Sequence, residues 1–216
     1  MIRSMTDISN EFNCDKSTYH KYTNVYPIFM EKFRNEDFSL FEIGIDEGKS
    51  YKLWESYFTT ARIYGMDISK QFNTDRGIVF QGDQSNVEHL KDVSSKIENC
   101  KIIIDDGSHV AEHQLTSFYY LFQNLLQGDG IYIIEDVECS YWKPSLEIYG
   151  YQTGHLNIVD YFTKLNHSVN SHYNLHDNPL NIKMISFAPN CIIILKGNKE
   201  DQVEREYKYV NKLEVY

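Results

Sequence analysis

Residues 101–142 read KIIIDDGSHVAEHQLTSFYYLFQNLLQGDGIYIIEDVECSYW, and this stretch decides the fold class. It holds two β-branched apolar runs, Ile102-Ile103-Ile104 and Ile131-Tyr132-Ile133-Ile134. Each is followed at once by an acidic pair, Asp105-Asp106 after the first and Glu135-Asp136 after the second. Between them, residues 109–126 set Leu115, Phe118, Leu121, Phe122 and Leu125 on one helical stripe. Strand, helix and strand within about 30 residues make a βαβ unit, whose strands run parallel. Parallel neighbours end on one edge of the sheet, where open α/β sheets bind ligands. The spacing therefore predicts four carboxyl groups converging on that edge. Carboxylates packed that closely repel one another, and a cation is the usual remedy.

The pattern extends to both sides. Residues 39–45 (SLFEIGI), 61–66 (ARIYGM) and 77–81 (GIVFQ) read as three further strands, with helices over about 50–58 and 85–97. Residues 16–33 read as a helical lead that Pro27 interrupts, and residues 1–13 as a loose start. After Asp136, residues 137–154 carry Pro144, Gly150, Gly154 and four aromatics and read as a loop or lid; residues 155–166 read as a short helix. Residues 182–187 and 191–195 flank Ala188-Pro189-Asn190, a hairpin signal. The tail, 197–216, reads as a charged helix or edge segment. The expectation is a single domain over 1–216, with a lead at 1–35 and a lid or acceptor region at 137–181.

The first strand carries Glu42-x-Gly44-x-x-x-Gly48, a turn that lets backbone approach a ligand at a helix N-terminus. It is not GxGxxG, which disfavours a dinucleotide. Asp67 ends the second strand about 20 residues past Gly44, placed to accept ribose hydroxyls. Asp83, in Gly82-Asp83-Gln84, ends the third strand and can accept from an adenine amino group. Together these acids suit S-adenosylmethionine, which has no pyrophosphate. Asp106, Glu135 and Asp136 are oxygen ligands without sulfur nearby, which suits Mg²⁺, with Mn²⁺ or Ca²⁺ as alternatives. His109, three residues past Asp106, is a candidate general base, a helix cap or a fourth ligand. His20 and His113 are further candidates to line the pocket, whereas His89, His155, His167, His172 and His176 read as surface residues.

Taken together, Glu42-x-Gly44-x-x-x-Gly48, Asp67, the segment 105–109 (DDGSH) and Ile133-Ile134-Glu135-Asp136 followed by Ser140-Tyr141-Trp142 resemble class I methyltransferases. They look most like the metal-dependent sugar O-methyltransferases of macrolide pathways. The likeness spans about residues 15–197, with DDGSH and ED-x-x-x-SYW its specific parts. The lead, Asp15-Lys16 through His20-x-Tyr22, and the hairpin also match. The resemblance implies a Rossmann-like α/β fold with a mostly parallel seven-stranded sheet in the order 3-2-1-4-5-7-6, helices on both faces and a C-terminal antiparallel hairpin. It implies metal ligation by Asp106, Glu135 and Asp136, and His109 as base. It further implies a donor site drawing on Glu42, Gly44, Gly48, Asp67, Asp83, Gln84 and Asp105, and an acceptor site at His20, Tyr22, Tyr141 and Trp142. The turn before the fifth strand is Gly128-Asp129-Gly130 rather than Gly-Gly. No counterpart of the extra N-terminal domain of some macrolide members is seen, which favours a smaller acceptor such as a nucleotide-linked sugar.

The bulk numbers agree with such a class. The 216 residues carry a net charge of −10, which argues against a nucleic-acid partner. No apolar run reaches membrane-spanning length and the start has no apolar signal region, so a cytoplasmic protein is expected. Cys14, Cys100, Cys139 and Cys191 are too far apart for CxxC and read as free thiols. A homodimer is the expected assembly. The rival functional readings are a metal-dependent hydroxylase or oxygenase, which needs two histidines and one carboxylate around iron, and a non-catalytic sugar- or nucleotide-binding module.

Overall fold

The computed structural model describes residues 2–143, 146–148, 151–152, 154–171 and 176–198. The strands are β1 Ser39–Ile43, β2 Arg62–Asp67, β3 Phe72–Asn73, β4 Ile78–Gln81, β5 Cys100–Asp105, β6 Leu126–Glu135, β7 Glu147–Ile148, β8 Tyr151–Gln152, β9 Ile182–Ala188 and β10 Cys191–Lys196. The α-helices are α1 Met5–Glu11, α2 Asp15–Thr18, α3 Tyr26–Met30, α4 Lys49–Tyr57, α5 Val87–Ser94, α6 Ala111–Asn124 and α7 Ile158–Val169. The main sheet runs β3-β4-β2-β1-β5-β6-β10-β9. Without β3, a two-residue antiparallel edge strand, this is the expected seven-strand order. β4, β2, β1, β5 and β6 are parallel, and β9 and β10 form the antiparallel hairpin beside β6.

Each face of the sheet has its own core, because side chains on a strand alternate. Leu40, Ile102, Ile104, Ile131 and Ile133 face α4 and the N-terminal lead, where Met5, Ile8, Tyr26, Met30 and Trp54 pack. Phe41, Ile43, Ile103, Tyr132 and Ile134 face α5, α6 and α7. The register aligns Ile43 with Met66 and with Asp105, and Asp105 with Ile134. Asp106 therefore falls level with Glu135 at the carboxyl edge.

Three expectations change. Of the expected loose start, residues 2–13 are ordered: Ser4 and Asp7 form a capping box that starts α1. The lead is four short turns rather than one helix, with Pro27 accommodated in the first turn of α3. Gly128-Asp129-Gly130 lies within the long β6 rather than in a turn before it. The four cysteines are free and buried. Among the described residues no helix is long and apolar enough to cross a membrane. Parts of the expected lid and most of the tail, from 199 on, lie outside the described residues.

Candidate active site

A cleft of about 670 Å³ opens at the carboxyl edge of β1, β2, β4 and β5. Its lining includes Gly44, Asp67, Asp83, Gln84, Asp106, His109 and Asp136. Gly44 has φ +84°, and a Cβ there would sit 1.9 Å from the Asp106 carbonyl oxygen. A side chain is thus excluded by the β5 loop itself, whatever the ligand. Gly48, at φ +74°, precedes the first turn of α4.

Asp67 clamps two loops. Its Oδ2 accepts from the Ile45 N–H (3.0 Å) and the Asp46 N–H (3.3 Å), and its Oδ1 from the Ser69 N–H, Ser69 hydroxyl and Lys70 N–H. Burial pushes its carboxyl up, but these donors outweigh burial and hold it below the ordinary value. Asp83 Oδ1 accepts from the Ser85 N–H and hydroxyl, and the Asp83 N–H donates to His89 Nδ1. Gln84 bridges the cleft wall to the core: its Oε1 accepts from the Ser108 N–H at 2.6 Å and its amide donates to Asp105.

The acids expected to converge are divided by strand alternation. Asp105 points to the α6 face, fully buried, and accepts from Ser117, Gln84 and Tyr132. Burial raises its carboxyl, and it does not line the cleft. Glu42 and Glu135 point to the opposite face, also buried and out of the cleft. There Lys16, itself 0% exposed, places Nζ 2.7 Å from Asp106 Oδ2, 2.7 Å from Glu135 Oε2 and 3.7 Å from Glu42 Oε1. Tyr26 donates to Glu135 Oε1 at 2.6 Å, and Ser50 to Glu42 Oε2 at 2.9 Å. Burial pushes Glu42 up to about 7 and raises Glu135 and Asp106. Burial alone would depress Lys16, but the surrounding carboxylates outweigh it and hold the ammonium well above its usual value.

Asp106, His109 and Asp136 do converge, with one ligand atom from each lying within 4.8 Å of the others. His109 (φ 57°) and Asp136 (φ 52°) both adopt the left-handed conformation, a local cost that clusters at functional sites. His109 sits in the loop before α6 rather than in its first turn. Its Nε2 lies 3.7 Å from Asp136 Oδ2. Asp136 Oδ1 accepts from Tyr22 (2.6 Å) and Asn190 (2.9 Å), with His20 Nδ1 at 3.4 Å.

Of the expected acceptor residues, Tyr22 is buried behind Asp136 and positions that carboxylate. Trp142, 45% exposed, shares a small pocket with His109, Glu112 and His155. Tyr141 belongs to a separate groove with Tyr19 and Phe187. His113 bonds to Ser108 outside the cleft lining. Lys16, Tyr26 and Asn190 also hold the acids of the site in place. Nothing local marks them, since their partners lie 54 to 119 residues away.

No protein-family model matches the chain. A rhamnosyl tetracenomycin-C 2'-O-methyltransferase of Streptomyces olivaceus is 36% identical over 150 residues, covering 65% of this chain and 39% of that protein. Mycinamicin VI 2''-O-methyltransferase of Micromonospora griseorubida is 33% identical over 148 residues, covering 64% and 37%. The solved structure of MycE, a methyltransferase of mycinamycin biosynthesis in complex with Mg and SAH, superposes with TM-score 0.79 and 26% identity over 92% of this chain and 54% of that one. The chain shares the fold of the MycE methyltransferase, and the two curated relatives it matches are O-methyltransferases. It spans less than half the length of those two curated relatives.

This fold gives the cleft and the cation-type cluster a shared wall, Asp106, His109 and Asp136. Two carboxylates and an imidazole suit a divalent cation of the magnesium or manganese type. The cleft is in the volume range of small-molecule sites, and Asp67 and Asp83 are among its lining residues.

Proposed function

We propose that this chain is an S-adenosylmethionine-dependent, divalent-metal-dependent O-methyltransferase acting on a sugar hydroxyl. The observation that carries the reading is the shared wall. The same three side chains, Asp106, His109 and Asp136, gather into a cation-type cluster and line the cleft. Sugar O-methyltransferases among the relatives, and the Mg and SAH bound by MycE, support it.

In this reading Asp106 and Asp136 hold the ion, Mg²⁺ by preference with Mn²⁺ or Ca²⁺ possible on donor chemistry. Glu135 is the third acid if Lys16 releases it. A divalent ion so held lowers the pKa of a coordinated hydroxyl. His109 takes the proton from the acceptor oxygen, its ring oriented by Asp136. Gly44, Asp67 and Asp83 would hold the donor, whose sulfonium would supply the methyl group. For Asp67 to accept ribose hydroxyls, one of its five present donors must give way, and the Ser69 hydroxyl is the one free to rotate. Holding donor and acceptor in line supplies much of the rate. Trp142, beside His109, walls the acceptor side.

Within that class we propose a nucleotide-linked sugar as the acceptor. The cluster holds one histidine and two carboxylates, the reverse of the facial iron pattern, so the oxygenase reading has no support from it. The test is methyl transfer from S-adenosylmethionine to a panel of nucleotide sugars and of glycosylated aglycones, with and without EDTA. EDTA-sensitive transfer to the first group is expected. Transfer to the second alone would replace the acceptor assignment, and calorimetry that detects no S-adenosylhomocysteine binding would end the reading.

A further inference from the structure

Lys16 is the group the proposed chemistry leaves without a task. It is the only fully buried lysine among the described residues, and it is carried into the sheet edge by α2, a single helical turn of the N-terminal lead. Removing an ammonium from water costs several kcal/mol unless charge partners repay it. Here three carboxyl groups surround it, Asp106, Glu135 and Glu42. Asp106 also belongs to the cation-type trio, whereas Glu135 lies outside it, held between Lys16 and Tyr26. A single cation therefore already sits on two of the acids that a divalent ion would draw upon.

We propose that Lys16 is a positioning residue, a built-in counter-ion that preforms the acid cluster before the divalent ion arrives and competes with it for Asp106 and Glu135. The inference rests on the metal-dependent reading above and goes beyond it. Lys16 sets how tightly the ion is held, because an ammonium bonded to a ligand repels a dication on that same ligand. It also lets the fold close without the ion, since the lead docks through this contact and through Tyr26 and Tyr22.

The experiment is Mg²⁺ and Mn²⁺ titration of the full chain by calorimetry, with thermal melts in EDTA and in Mg²⁺, on wild type and Lys16→Met. Lys16→Met is expected to bind the ion on the order of tenfold more tightly. Its melting temperature should fall in EDTA and be recovered by Mg²⁺ to a larger degree than in wild type. Equal or weaker ion binding by Lys16→Met, with a melting loss that Mg²⁺ does not reverse, would make Lys16 a structural ion pair only and overturn the inference while leaving the ion site standing. No ion binding by either protein would overturn the metal reading and this inference with it. Should Lys16→Met fail to fold even in Mg²⁺, Tyr26→Phe carries the test. Freed on one side, Glu135 should bind the ion several-fold more tightly, and unchanged affinity counts against the inference.

Discussion

His109 is the residue on which the proposed chemistry turns, and its setting allows a clean substitution. Its backbone is left-handed, its ring faces Asp136, and it borders both the cleft and the pocket of Trp142. His109→Ala should lower methyl transfer by about 10²–10⁴-fold with S-adenosylhomocysteine affinity unchanged, measured by single-turnover assay and calorimetry. Asp67 gives a pH prediction with a definite sign. Its folded pKa lies below the unfolded value of 3.8, so its contribution to stability is present above that value and lost as pH falls through the folded pKa. Denaturant melts of wild type and Asp67→Asn should therefore differ most at neutral pH and converge as pH drops below about 3.8. A gap that persisted unchanged into acid would remove the charge from the explanation. Asp67, Asp83 and His109 could be singled out from spacing alone, because strand ends are written in sequence. Lys16 could not, because its role exists only once α2 is brought to the sheet edge.

The elements explain which acids meet. Adjacent acids on a strand point to opposite faces, so Asp105 joins Ser117 and Tyr132 under α6 while Asp106 and Glu135 turn to the lead. That division was available in the sequence, since Tyr132 and Ile134 fall on the opposite parity from Glu135. Whereas the strand order followed from the family resemblance, the strands and the hairpin were equally legible, from apolar runs and turn residues. The ordered start was not, because the capping box of α1 is a two-residue signal in a polar stretch. Ser4→Ala should cost about 1 kcal/mol in urea unfolding without changing ion affinity. At the β1–α4 loop, Gly44→Ala drives a Cβ into the Asp106 carbonyl from a conformation that alanine disfavours. It should destabilise by about 1–3 kcal/mol and, by displacing Asp106, weaken Mg²⁺ binding as well. Loss of stability with ion affinity intact would separate the loop from the cluster.

At the scale of the whole molecule, a sheet with a separate core on each face leaves its carboxyl edge free to carry chemistry. The N-terminal lead closes one side of that edge through Lys16, Tyr22 and Tyr26, and the α6 layer closes the other through Gln84 and Ser117. What remains open is the cleft with its wall of Asp106, His109 and Asp136. The net charge of −10 adds to the pull on a divalent cation. The central claim is that this wall holds one ion beside the methyl donor. The most direct measurement is a crystal grown with Mn²⁺ and S-adenosylhomocysteine, with data collected at the manganese absorption edge. The account predicts one anomalous peak in bonding distance of both Asp106 and Asp136, with S-adenosylhomocysteine density along Gly44 and Asp67. Ordered S-adenosylhomocysteine with no peak between those two carboxylates would contradict it.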